Sequence, residues 1–263
     1  MRQPIVTLTT DFGLADHFVA AMKGVILSIE PRASIVDLSH EIAPYSIPEA
    51  AFTLSQAYAS FPSKTIHVVV VDPGVGTARR PILAQAAGQY FVAPDNGVLS
   101  LVYAREKHRV RAITAVRYFR HPVSRTFHGR DVFAPVAAHL ASGVPPARFG
   151  KLITDYATGG FQGPTPSGAR NWTGLVLKVD RFGNLITNFA VAEFPALETG
   201  AFELRIGRRR VTTCAHSYAQ GSPRQLFVIA ASSGYFEIAA NQASAARLTG
   251  CGTGAAIELT APV

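Results

Sequence analysis

The first ~150 residues alternate short β-branched runs with longer mixed segments, and this alternation limits the possible folds more than any other feature. Residues 5–9 (IVTLT), 34–38, 66–71 (IHVVVV), 90–93 and 111–115 read as strands. Segments 17–30, 48–60, 97–105 and 130–142 read as helices, with Pro48 suited to a first turn, where its missing N–H costs nothing. Strands alternating with helices require crossover connections, which build a parallel sheet covered by helices. The expectation is an N-terminal α/β domain with a mostly parallel sheet over residues 1–158.

Around 157–171 the texture changes to TGGFQGPTPSGARN, a turn- and linker-type cluster closing on Asn171. Beyond it come alternating runs (GLVLKVD, AFELRIG, QLFVIAA, YFEIAA) with no long helical segment. Residues 170–263 are therefore expected to form a smaller C-terminal antiparallel β domain, barrel-like. Apolar residues make up 48% and charged ones 16%, enough to bury a sizeable core. Asp11 interrupts the first apolar run, and no run approaches the ~20 residues of a membrane span, so a soluble cytoplasmic protein with no membrane partner is expected. Cys214 and Cys251 are the only cysteines and give neither a disulfide framework nor a zinc pattern. The net charge of +8 is dispersed apart from 107–111 and 208–210. Neither cluster is interleaved with aromatics as RNA-binding modules require, so no nucleic-acid partner is expected. A basic balance also helps attract a carboxylate-bearing small ligand, and charge alone leaves the ligand class open.

In open α/β sheets, ligands bind beyond the carboxyl ends of the strands. The polar residues there are Thr9-Thr10-Asp11-Phe12-Gly13 with Asp16 and His17, then Asp37-Leu38-Ser39-His40, Asp72, and Pro94-Asp95-Asn96-Gly97. A further segment, Thr126-Phe127-His128-Gly129-Arg130-Asp131, precedes a helix. Taken singly, Asp131 reads equally well as an N-cap and Asp95-Asn96-Gly97 as a turn. Four acidic strand ends in one half of the chain point instead to a common site.

The loop VVVVDPGVGTARRP (68–81) tests what that site does. A phosphate-cradling P-loop needs GxxxxGK[ST], and a dinucleotide fingerprint needs GxGxxG opening a helix. Here position 79 is arginine and Pro81 leads into another apolar run, so neither motif is present. What remains is Asp72 at a strand tip, with Arg79 and Arg80 after a turn that can fold back. An arginine beside Asp72 keeps the carboxylate ionised. A histidine from the TFHGRD segment would complete a proton-handling group suited to polarising a bound water, because no serine or cysteine nucleophile stands at the strand end.

TTDFG followed by Asp16, then VDPGVGT, APDNG, TFHGRD, DRFGNLITN and SSGYFEIA, in this order, resemble the S-adenosyl-L-methionine hydroxide adenosyltransferases, relatives of the fluorinase and chlorinase. The resemblance runs from Thr9 to about Ser244. It implies hydrolysis of S-adenosyl-L-methionine (SAM) to adenosine and L-methionine by water attack at ribose C5′, with no cofactor and no metal. It also implies a homotrimer with SAM held between neighbouring subunits. Asp72, Arg79 and His128 match the group thought to hold and activate the water; the fluorinase has a tyrosine where Asp72 stands, which favours hydroxide over halide here. By the same resemblance Asp11 holds the ribose hydroxyls, Thr126 lies near the ribose and Phe127 beside C5′. Tyr45 stands where the fluorinase has a tryptophan packing on the sugar and methionine region, and Phe12, Asp16 and Asn96 bind substrate. In the C-terminal half Asp180 meets the methionine amine, Phe182 and Tyr218 flank adenine, and Asn184 pairs with its edge. Ser232, Ser233, Tyr235 and Glu237 come from the SSGYFEIA stretch; Ser232 and Ser233 fall at the methionine-carboxylate position, where the fluorinase has Ser-Arg.

Two rivals come from other classes. Asp11, Asp72, Asp95, Asn96 and His128 could form the oxygen-rich divalent site of a metal-dependent phosphohydrolase. Alternatively the chain is a SAM- or adenosine-binding regulator without turnover, or a basic RNA-binding module. Within the enzyme class, a SAM-dependent halogenase is the competing reading.

Overall fold

The computed structural model describes residues 3–159 and 161–261, which divide into two compact units, 1–161 and 162–263. The division falls inside the Gly/Pro-rich stretch.

In the first unit a seven-stranded sheet has the order β2-β1-β3-β5-β4-β6-β7. Strands β1 (Ile5–Thr10), β2 (Ser34–Ser39), β3 (Ile66–Val70) and β5 (Gln89–Pro94) run parallel. Strands β4 (Pro81–Ala86), β6 (His108–Ala112) and β7 (Leu152–Ile153) complete it in antiparallel fashion, so the sheet is mixed. Helices α1 (Phe18–Ile29), α2 (Ile47–Ala57), α3 (Ser100–Arg105) and α4 (Ala134–Ala141) lie in the four segments with helical character in the sequence.

The valine run of β3 shows why the sheet forms. Val68 and Val70 pack into one core with Met22, Ile26 and Phe133, while Val69 and Val71 pack into the opposite core with Leu54 and Phe91. Side chains alternate faces along a strand, so a run with no polar position is stable only when both faces are covered. Each fully buried valine contributes on the order of 1.5 kcal/mol.

Register fixes the site. Thr10 pairs with Val70, so the chain leaves β1 and β3 at the same edge and puts Asp11 and Asp72 there. Strand β4 does not sit beside β3; β5 lies between them. Because β4 runs antiparallel and starts at Pro81 opposite Pro94, Arg79 and Arg80 enter it from the edge that carries the aspartates. The reversal thus delivers guanidinium groups to the carboxyl ends of the parallel strands.

The second unit is an antiparallel, nearly closed barrel of β8 (Thr165–Gly168), β9 (Asn171–Val179), β10 (Leu185–Ala190), β11 (Glu203–Ile206), β12 (Arg209–Val211), β13 (Leu226–Ala230), β14 (Tyr235–Ala240) and β15 (Ala256–Thr260). The chain after β12 closes it: Val228 N–H donates to Thr213 O, and Ala215 N–H to Val228 O, both at 2.9 Å. Two short helices, α5 (Ala196–Thr199) and α6 (Ala245–Thr249), are the α-helices of this unit among the described residues. All six residues of β14 are buried, Glu237 among them.

Candidate active site

The turn after β3 is pinned by its own backbone. Val75 N–H donates to Asp72 O at 3.2 Å, and the Thr77 hydroxyl donates to Gly74 O at 2.7 Å. Gly76 has φ +75°, and a Cβ there would stand 2.4 Å from the Arg125 carbonyl oxygen, so both dihedral and space require glycine. The loop is a fixed return rather than a loose hinge, and it brings Arg79 back to Asp72.

Arg79 Nε donates to Asp72 Oδ1 at 2.8 Å and Nη2 donates to Oδ2, a two-pronged grip that fixes the carboxylate plane. The two side chains are 9% and 5% exposed. Nη2 also contacts His128 Nδ1 at 3.0 Å. A guanidinium has no acceptor, so Nδ1 accepts with its lone pair and the imidazole proton sits on Nε2. Burial, and then the Arg79 charge, push the His128 pKa below its ordinary value, while Asp72 and Asp131 pull the other way. The Arg79 guanidinium also lies over the Phe133 ring, 5.1 Å from its centre. His128 directly precedes a wide π-type turn, Gly129–Phe133, a local irregularity of the kind found at functional sites.

Asp72 and His128 border a cleft of about 360 Å³ that is also lined by Asp11, Tyr45, Thr126 and Phe127. Phe12, Phe18 and Phe127 form an aromatic wall there, with ring centres 5.1 Å apart for Phe18–Phe127 and 5.8 Å for Phe12–Phe18. Asp11 Oδ2 accepts from Tyr45 N–H at 2.8 Å. Tyr45 sits at φ +67° with its side chain largely exposed. Seven of the ten residues anticipated in this unit line the cleft, and Arg79 stands behind Asp72. Asp16 and Asn96 do not line it. Asp16 is exposed, whereas Asn96 ties β3 to the next turn: Nδ2 donates to Val71 O at 2.9 Å and Oδ1 accepts from Val98 N–H at 3.2 Å.

Of the five residues weighed for a divalent site, Asp72 and His128 share Arg79 as a partner and line the cleft with Asp11, whereas Asp95 and Asn96 are taken up by other contacts. Asp95 accepts from Arg80 Nη2 at 2.8 Å and from Ala157 N–H at 2.8 Å, and Asp72 is gripped by Arg79. Among the described residues no three His, Cys, Asp or Glu side chains gather into a metal-holding group.

The second unit has its own pocket of about 880 Å³, bordered by Asp180, Phe182, Asn184 and Tyr218. Asp180 organises the loop: Oδ1 accepts from the N–H groups of Phe182 (2.9 Å) and Asn184 (2.8 Å), and Oδ2 from Asn184 Nδ2 (2.9 Å). Gly183, at φ +85°, passes so close to Ser244 that a Cβ would lie 2.1 Å from its hydroxyl. Phe182 is 80% exposed and Tyr218 47%. The Tyr218 hydroxyl donates to Glu237 Oε2 at 3.1 Å. Burial, together with Glu237, pushes the Tyr218 pKa up to about 12. Burial also raises the Glu237 carboxyl, opposed by the Tyr218 hydrogen bond and reinforced by Asp180.

Glu237 thus lies under Tyr218 rather than among the lining residues. Ser232, Ser233 and Tyr235 are not among them either; Ser232 is exposed and Tyr235 buried. Phe18 in the first unit, and Gln242, Ser244 and Arg247 in the second, line the pockets without having been anticipated. Phe18 opens α1 and reads as helix core, and Gln242 stands out only by its φ of +52°, which no sequence pattern reveals.

A buried carboxylate–guanidinium pair with an imidazole against it borders an aromatic cleft at the carboxyl ends of the parallel strands, where α/β enzymes bind their ligands. The chain belongs to the SAM hydroxide adenosyltransferase family: the N-terminal domain of that family matches residues 6–150 and the C-terminal domain residues 174–258. It is 38% identical over 264 aligned positions to an (R)-S-adenosyl-L-methionine hydrolase of Salinispora tropica, with 98% of each chain covered. An enzyme of the same name from Thermus thermophilus is 36% identical, covering 97% of this chain and 98% of its own. A crystal structure of a conserved protein from Thermotoga maritima superposes with a TM-score of 0.87 at 37% identity, over 97% of this chain and 99% of that one.

Proposed function

We propose that this chain hydrolyses SAM to adenosine and L-methionine, with water attacking ribose C5′. The observation that carries the reading is the Asp72–Arg79–His128 constellation at the aromatic cleft of a family member. The activity named for the Salinispora and Thermus relatives, which this chain matches over nearly its whole length, supports the same substrate.

In the proposed reaction an oxygen–C5′ bond forms as the C5′–sulfur bond breaks, and the electron pair leaves on sulfur as a neutral thioether. A sulfonium departs readily, so the chemistry asks for no metal, covalent nucleophile or cofactor; the task is to align water with C5′ and sulfur. Asp72 accepts the water's proton. Arg79 holds that carboxylate in plane by bonding both of its oxygens. His128, with its proton on Nε2, donates to the water oxygen and fixes its lone pair towards carbon. Asp11 takes the ribose hydroxyls with Thr126 and Phe127 beside them, and Tyr45 covers the sugar.

In the second unit Phe182 and Tyr218 stack on adenine and Asn184 reads its edge. Asp180, Ser232 and Ser233 meet the methionine end. Burial of Tyr235 and Glu237 suits a supporting role for both, and Asn96 a structural one. The reading carries a cytoplasmic homotrimer in which the pocket of one subunit's second unit completes a neighbour's cleft. Tyr45, Phe182 and Tyr218 support it, because aromatic surface so exposed at pocket rims is what a partner's surface covers.

The test is incubation of purified protein with SAM in metal-free buffer, with and without chloride, followed by mass analysis. Adenosine and methionine in both arms, unchanged by EDTA, are expected. A chlorinated nucleoside would favour the halogenase, loss of activity in EDTA the phosphohydrolase, and tight binding without methionine release the regulator.

A further inference from the structure

One cluster at the strand ends, the Asp37-Leu38-Ser39-His40 terminus of β2, has no part in the mechanism above. His40 is buried and does not line the cleft, yet it holds the turn that presents Asp11 at three removes. Its Nδ1 lies 2.8 Å from Thr10 Oγ1, and Thr10 Oγ1 accepts from Phe12 N–H at 3.2 Å. Its backbone oxygen accepts from Gly13 N–H at 2.8 Å. The residues that follow it return to the same place, where Tyr45 N–H donates to Asp11 Oδ2 at 2.8 Å. On the far side of the ring, Nε2 faces Asp37 Oδ1 at 3.0 Å, off the ideal line of a hydrogen bond, and Asp37 Oδ2 takes Lys23 Nζ at 2.6 Å.

The Asp37 carboxylate facing Nε2 calls for the imidazole proton on that nitrogen, and Nδ1 then accepts from the Thr10 hydroxyl, whose oxygen still takes the Phe12 N–H. A leucine at 40 would fill the same space without burying a polar ring. The imidazole therefore supplies direction as well as volume.

We infer that His40, acting through Thr10 Oγ1, is a positioning residue that fixes the Asp11 carboxylate for the ribose hydroxyls. The proposal rests on the nucleoside reading of the cleft given above. Without the Thr10 hydroxyl, the Phe12 N–H loses its buried acceptor and the turn carrying Asp11 shifts.

The test compares binding of adenosine and 2′,3′-dideoxyadenosine by calorimetry in the wild-type protein, Thr10→Val, Thr10→Ser, His40→Asn and His40→Leu. Valine keeps the shape and removes the hydroxyl; serine keeps the hydroxyl; the asparagine amide oxygen can replace Nδ1 as acceptor. Wild type is expected to prefer adenosine, and Thr10→Val to lose about tenfold in adenosine affinity, as expected for a misaligned hydrogen bond to a charged group. Its affinity for the dideoxynucleoside should not change, and Thr10→Ser and His40→Asn should stay near wild type. His40→Leu, which fills the space without an acceptor, should lose adenosine affinity as Thr10→Val does; a His40→Leu protein that binds adenosine as tightly as wild type overturns the part given to His40. Equal weakening of both nucleosides, or no weakening of either, overturns the inference. SAM turnover by the wild type is measured alongside. Turnover with no hydroxyl-specific effect of Thr10→Val sinks the positioning role alone, and absence of turnover and nucleoside binding sinks both.

Discussion

The two pockets use carboxylates in opposite ways. In the first unit Asp72 is almost buried and gripped by a guanidinium that also reaches an imidazole, so charge is fixed before any ligand arrives. In the second unit the Asp180 oxygens shape their own loop, Glu237 lies beneath a phenol, and the exposed groups are aromatic rings. The first arrangement suits a group that must act on a water, because preorganised charge needs no rearrangement during reaction. The second suits recognition of a flat, weakly polar ligand part.

The contrast predicts a hierarchy of effects. Asp72→Asn keeps the shape but removes the charge, and turnover should fall by roughly 10²–10⁴-fold while adenosine affinity changes little, read by single-turnover kinetics and calorimetry. An equal loss of affinity would mean that Asp72 is a binding group and the contrast is false.

Acid should separate the units next. His67 is buried in the first sheet between Thr7 (2.8 Å) and Gln89 (3.3 Å), and burial lowers its pKa to about 4. Because the folded value lies below the unfolded one, the protonated ring favours unfolding: stability is complete above about pH 6.5 and is lost as pH falls towards 4. The loss should approach about 3 kcal/mol, and His67→Gln should flatten it in denaturation curves followed against pH. The only histidine of the second unit, His216, is exposed, so amide exchange in that unit should show no matching loss.

On the recognition side, Tyr218→Ala should raise the KM for SAM about tenfold, as expected for loss of one stacking ring, with kcat within a few-fold. A change confined to kcat would reverse the assignment of roles. The smallest expected effect concerns His128. Its lowered pKa keeps the ring neutral, and the contact with Arg79 intact, as pH falls through the ordinary histidine value. The acid limb of kcat/KM should therefore lie below pH 6.5.

Much of this was legible in the chain. The valine run of β3 announced a strand covered on both faces, and the arginine at 79, where either glycine motif needs glycine, removed the phosphate loop and left an arginine to return. Strand β4 was not read as a strand, only as an apolar run after Pro81, and its direction is decided by β5, which comes later in the chain. Asn96 looks like a ligand group in sequence, but both ends of its amide hold backbone. Glu237 sits in YFEIAA, where alternation places it without saying that it supports a phenol. Side-chain types reveal capacity, whereas partners depend on contacts between distant segments.

The pinned turn after β3 also has a consequence for assembly. Asp72 and Arg79 are separated by 7 positions, whereas Arg79 and His128 are separated by 49. Closing the short loop costs less entropy, by roughly 2 kcal/mol on a logarithmic dependence on length. The ion pair can therefore form early on the folding pathway, as a local nucleus, and the imidazole joins once α4 has docked. Substitutions in 72–79 should slow refolding, whereas those at His128 should mainly speed unfolding.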